Sequence, residues 1–160
     1  MKKGLLILLA SVLLTGCESN ETVDDNNVEP ELSTITCVMD DVSYDGYTLD
    51  SEYIVNYNGD YVDNVVTTET VTSDSEDILD YMEEYLNQTY QVSSDTYGGY
   101  TYDISRSSNQ VSANVTIDYN VMDLDQFQED QPSISSYIED GKFLVDGIVE
   151  MYESFGATCE

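Results

Sequence analysis

From Val111 to Val121 the chain alternates without a break. Val111, Ala113, Val115, Ile117, Tyr119 and Val121 fall on one side, and Ser112, Asn114, Thr116, Asp118 and Asn120 on the other. A period of two over that length is a β-strand with one dry face and one wet face. Sheets that are wet on one side are as a rule antiparallel, and helices cover their dry side. The remaining sequence must therefore supply partner strands and a helical cover.

Partner strands are readable on both sides of that segment. Ile35, Cys37 and Met39 alternate with Thr36 and Val38, and Asp40 to Gly46 then reads as turn. Asn58-Gly59 stands between two β-prone runs, the strongest short hairpin signal. A two-residue turn there pairs Tyr57 with Asp60, Val55 with Val62 and Tyr53 with Asn64. This register puts Tyr53, Val55, Tyr57, Val62 and Val66 on the inner face. Gly98-Gly99 is expected to open a second hairpin, with Tyr100, Tyr102 and Ile104 alternating before a turn at Ser107-Ser108-Asn109.

Helical spacing appears twice at length. Ser73-Asp74-Ser75-Glu76 has the pattern of a capping box with Ser73 as N-cap. Ile78, Leu79, Met82, Tyr85 and Leu86 then form one stripe, which fades near Thr89 to Val92. A short helix is expected over Asp123 to Glu129. A last one covers Phe143 to Phe155, with Leu144, Val145, Ile148, Val149 and Tyr152 as its stripe, Gly147 as a weak point and Gly156 as its C′ residue. The expected fold is α+β: an antiparallel sheet of about five strands, ordered β-ββα-ββα, with two main helices on one face.

The N-terminus carries an address. Lys2 and Lys3 precede the uncharged run Gly4 to Leu14, which is too short for a bilayer span of roughly 20 residues and fits the apolar core of an export signal. Leu14-Thr15-Gly16-Cys17 resembles the lipobox of bacterial lipoproteins, in which the cysteine thiol takes a diacylglyceryl group and the chain is cut before it. Residues 1–16 are thus expected to be a signal peptide, 17–33 an acidic flexible tether and 34–160 a single globular domain. Two acyl chains on Cys17 would hold the protein on the extracytoplasmic side of a bacterial membrane.

Charge narrows the partners. The chain has 33 acidic residues against 4 basic ones, no histidine and a formal net charge of −29. Beyond the signal segment only Arg106 and Lys142 are basic. Such a surface does not suit nucleic acid, whose phosphates need Lys and Arg. With Cys17 lipidated, Cys37 and Cys159 remain, an even pair in an exported protein. They form either a bridge that ties the domain's ends together or two free buried thiols. Two cysteines without histidine are too few for a soft-metal site.

With those residues placed, the chain resembles the small bacterial lipoproteins of the YehR type. The likeness rests on Leu14-Thr15-Gly16-Cys17, Ile35-Thr36-Cys37, Ile117-Asp118-Tyr119, Asp123-Leu124-Asp125 and Phe155-Gly156-Ala157-Thr158-Cys159. It implies an α+β lipoprotein domain of unassigned activity and carries over no catalytic residue.

Nothing in the sequence assembles catalytic chemistry. A Ser-His-Asp or Cys-His site needs the histidine this chain lacks, and no phosphate-cradling glycine motif occurs. We expect no enzyme activity, no cofactor and no dedicated metal site. Of the 14 tyrosines, Tyr53, Tyr57, Tyr100 and Tyr102 alternate as core residues do. Tyr44, Tyr47, Tyr61 and Tyr97 are the candidates for an exposed patch that recognises an envelope protein or a glycan. The expected role is a lipid-anchored binding module. The alternative is a calcium-binding or cation-buffering envelope protein, drawing on acids such as Asp60, Asp63, Asp123 and Asp125.

Overall fold

The computed structural model describes residues 32–160; the signal segment, Cys17 and the tether up to residue 31 lie outside those residues. The elements are β1 (Ser33–Tyr44), β2 (Tyr47–Asn58), β3 (Tyr61–Thr72), α1 (Glu76–Tyr97), β4 (Tyr100–Arg106), β5 (Gln110–Asp118), α2 (Leu124–Asp130), a 3-10 turn (Pro132–Tyr137), β6 (Ile138–Glu139), β7 (Lys142–Phe143), α3 (Val145–Ser154) and β8 (Thr158–Cys159). The main sheet has six antiparallel strands in the order β4-β5-β3-β2-β1-β8. The α+β class, the antiparallel sheet and the helical cover on one face are as expected. The sixth strand is the C-terminal segment itself.

The first three strands are longer than their periodicity suggested. Asp40 to Asp41 is a bulge rather than a turn, and β1 pairs on to Tyr44 opposite Tyr47. Asp41 takes the left-handed region at φ 53°, and its N–H donates to Asp50 Oδ1 at 2.7 Å. The turn that remains needs Gly46, whose φ of 91° is one that side chains rarely adopt.

In the β2–β3 hairpin, Asn58 faces Tyr61 and Tyr57 faces Val62, but Val55 faces Val65. One extra residue in β3 between Val62 and Asn64 shifts the register, and a one-residue shift turns every later side chain to the other face. Val65, Thr67 and Val71 are buried in consequence, while Val66, expected inside, points to the open face. Asp63, the extra residue, is held through its carboxylate by Asn64 and Asn120, each at 2.8 Å.

Helix α1 starts later and ends later than its local signals. Ser75, not Ser73, is the N-cap residue. The Ser73 hydroxyl instead donates to the Gly46 carbonyl at 2.7 Å and accepts from the Ser75 N–H at 3.1 Å, stitching the end of β3 to the β1–β2 turn. The helix passes Thr89 to Val92 and continues to Tyr97. Tertiary contacts carry it: Ser94 Oγ donates to the Tyr100 carbonyl at 3.3 Å, and the Tyr97 ring meets Phe127 edge-on at 5.1 Å. Leu79 and Leu86 are its buried stripe, whereas Tyr85, expected inside, is exposed and stacks on Tyr81. Gly98-Gly99 joins α1 to β4 and, as expected, opens the β4–β5 hairpin, whose turn is Ser107-Ser108-Asn109. A Cβ on Gly99 would lie 2.6 Å from the Asp118 carbonyl.

Asp123 caps α2 by accepting the Gln126 N–H at 3.0 Å. Phe143 belongs to β7 and not to the last helix; it is buried between Tyr119 and Tyr137. Gly147 is less a weak point than a requirement, since a Cβ there would sit 2.5 Å from Tyr137. At the end of α3 the Gly156 N–H bonds the Glu153 carbonyl and the Ala157 N–H bonds the Tyr152 carbonyl, a Schellman close with Gly156 at φ 101°. That turn sends Cys159 back to the sheet edge.

There Cys159 pairs with Cys37, and the two form a disulfide across 122 residues of sequence. Backbone bonds between Thr36 and Glu160 flank it on one side. In the chain-entropy account a loop of this size is worth about 4–5 kcal/mol. Converting both cysteines to serine should lower the unfolding free energy by about that amount in urea titrations; a loss below about 1 kcal/mol would show that the bridge does not carry the termini.

Candidate functional site

The register lays out the helix-covered face as rows. Cys37, Tyr53, Thr67, Val115 and Tyr102 form one; Met39, Ser51, Glu69, Ala113 and Ile104 form the next. The helices cover this face in two parts. α1 lies on β4 and β5, around Leu79, Leu86, Val111, Ala113 and Val115. α3 lies on β1, β3 and β8, around Cys37, Tyr53, Val55, Ile148 and Tyr152. The boundary between the two apolar clusters runs along β3, and Glu69 stands on it.

Glu69 is therefore an acid facing the covered side of the central strand. Its Oε2 accepts the Tyr90 hydroxyl at 2.6 Å, the length of a charge-assisted O–H···O bond. Burial is the main reason its carboxyl is held above the ordinary value of 4.5; the bond from Tyr90 pulls the other way. Ser51, beside it in the same row, is 3 % exposed. The Ser51 hydroxyl approaches Tyr53 but makes no hydrogen bond of normal geometry among the described residues.

Phenols crowd the same seam. Tyr53 stacks on Tyr152 with ring centroids 4.1 Å apart, and Tyr90 tilts against Tyr102 at 5.9 Å. Burial raises the pKa of Tyr53, Tyr90, Tyr119 and Tyr152, and pushes Tyr100 up to about 12. These hydroxyls stay neutral at physiological pH and serve as hydrogen-bond donors and acceptors.

Among the described residues no base stands against this acid. Arg106 is bound to Asp80 at 2.7 Å and Glu83 at 3.3 Å on the outer edge of the sheet. Lys142 sits over the Tyr61 ring, 5.1 Å from its centroid. Both positive side chains of the described residues are thus engaged elsewhere.

The four tyrosines singled out from sequence do not form one patch. Tyr44 and Tyr47 stack on each other at 4.8 Å at the β1–β2 turn. Tyr61 lies at the far end of β2 and β3, under Lys142. Tyr97 closes α1 against Phe127, and its hydroxyl donates to Asp130 at 3.1 Å. Only the first two are neighbours. Apart from Tyr61 at the end of β3, the uncovered face of the sheet shows no tyrosine at its outward register positions among the described residues. It carries Thr, Ser and Asn joined across strands, as in Asn56 to Asn64 at 2.8 Å and Thr70 to Ser112 at 3.1 Å.

The acids offered for calcium have structural work. Asp63 holds the bulge and Asp123 caps α2. Among the described residues no three Asp, Glu, Cys or His side chains converge as a metal would require.

Sequence periodicity did not reveal Glu69, Ser51 and Tyr90 as a group. A regular hairpin turns Glu69 outward, where an acid needs no explanation. Only the bulge at Asp63 turns it in.

No protein-family model matches the chain, and no curated protein matches it. Among solved structures it is similar to one determined by NMR for a protein from Streptococcus pneumoniae TIGR4. The TM-score is 0.50 at 13 % identity, over 100 % of this chain and 98 % of the other. At that identity the likeness concerns the fold alone.

A carboxyl raised in the folded state costs stability above its folded pKa and nothing below 4.5. The stability of the native chain relative to Glu69→Gln should therefore rise as pH falls from about 7 to about 4.5. Urea unfolding of both proteins at the two pH values checks it. A difference that stays constant, or that shrinks on acidification, contradicts the placement of Glu69.

Proposed function

We propose that the chain is a lipid-anchored lipoprotein of the extracytoplasmic side of a bacterial membrane, and that its domain is a non-enzymatic binding module. The observation that carries the reading is the Cys37–Cys159 bridge. A structural disulfide over most of a domain persists in oxidising compartments and not in a reducing cytosol. This agrees with the lipobox at Leu14 to Cys17 and with the resemblance to YehR-type lipoproteins.

Among the described residues no helix is long and apolar enough to cross a membrane. The acyl chains on Cys17 would then be the membrane attachment, and the acidic tether would hold the domain off an anionic lipid surface that repels it. The seam around Glu69 is the binding surface we favour over the tyrosines of the sheet ends. It combines a partly accessible carboxylate, a free hydroxyl and aromatic faces. No observation favours the calcium alternative.

Mass spectrometry of the chain isolated from bacterial membranes tests the anchoring. The expected product begins at Cys17 and carries a diacylglyceryl modification, and Cys17→Ser leaves residues 1–16 attached. An unmodified Cys17 in the membrane fraction overturns the proposal.

A further inference from the structure

We propose that the seam binds an organic ammonium group, with the Glu69 carboxylate as its counter-ion and the Ser51 hydroxyl as a second polar contact. The inference deepens the binding-module reading and rests on its choice of site.

The argument is one of unmet partners. Glu69 is drawn into the covered face, yet only Tyr90 bonds it, at a length typical of an ionised acceptor. A partly buried anion is normally paired, and neither Arg106 nor Lys142 is free to pair it. Ser51 Oγ is buried without a hydrogen bond in the adjacent register position, so a donor arriving between the two would satisfy both. An –NH3⁺ group supplies three donors.

The ligand class follows from what else is there. One carboxylate cannot hold calcium, which takes six to eight oxygens, and no group of three Asp, Glu, Cys or His side chains converges there among the described residues. The rings of Tyr53, Tyr152 and Tyr90 lie around the seam, and aromatic rings attract ammonium cations. Along β2 the covered face continues through Leu49 to Tyr47, stacked on the half-exposed Tyr44. The site thus suits a cation with a short apolar body, its head at Glu69. The protein's overall negative charge would draw such cations in.

The test uses the full chain in a non-ionic detergent, because zwitterionic detergents carry ammonium groups of their own. n-Hexylammonium chloride is titrated while the ring resonances of Tyr53 and Tyr90 are followed by NMR, with 1-hexanol as the uncharged control. The expected result is saturable binding of the amine with one-to-one stoichiometry and none of the alcohol. Glu69→Gln should weaken the amine by about tenfold or more. Glu52→Gln, which removes an acid from the uncovered face, should leave it unchanged.

Equal weakening by Glu69→Gln and Glu52→Gln would mean diffuse attraction to an acidic surface and would overturn the proposal. So would unsaturable shifts, or hexanol binding as well as the amine. Loss of the lipid anchor in the mass-spectrometric test would leave this result standing, so the two proposals fail separately.

Discussion

The structure turns on a mismatch of widths. Six strands at about 4.8 Å spacing span roughly 24 Å, while two helices of about 10 Å cover roughly 20 Å. The helices meet on one strand: α1 is laid on β4 and β5, α3 on β1 and β8, and both touch β3. The covered face is therefore closed from two sides toward a line along β3. On that line Val65, Thr67 and Val71 are buried, and Glu69 alone of the inward residues from Val65 to Val71 is partly exposed. The chain places Glu69 there, ties it to Tyr90 on α1, and fills the rest with tyrosines that are apolar along their rings and polar at their tips.

Two other features keep that arrangement in place. The bulge at Asp63 sets which face of β3 looks inward, and its carboxylate is held by two amides so that the register does not relax. The disulfide pins β8 to β1 and so fixes where α3 comes down on the sheet. Its partner elements are short, since β8 has two residues, and a covalent link replaces the ladder that such a strand cannot supply. Local strand pairing, a single bulge and one bridge thus position the carboxylate between the two helices.

Much of this architecture was legible in the sequence because it is periodic. The strict alternation of β5, the Cys37–Cys159 pairing and the two helical stripes give class and layering directly. What escaped depends on contacts between segments distant in sequence. Asp60 to Asn64 offer no local sign of an extra residue, so the inward set of β3 reads one position out and Val66 takes the place of Val65. The second half of α1 has β-branched and hydroxyl residues that argue for fading; Tyr90, Ser94 and Tyr97 hold it helical through their contacts with Glu69, the Tyr100 carbonyl and Phe127. The four outlying tyrosines read alike in the sequence, but strand length separates Tyr44 and Tyr47 from Tyr61. The candidate site went unseen for the same reason as the bulge: its members come from β2, β3 and α1, and no spacing links them.

The measurement closest to the centre of this account is a carbon-detected NMR titration of the Glu69 side-chain carboxyl in the folded chain. An acid turned inward at the seam, desolvated and without a base, should titrate with a midpoint clearly above the ordinary 4.5. A midpoint at or below 4.5 would mean that Glu69 faces water or a positive charge. The register of β3, and the site built on it, would then be wrong.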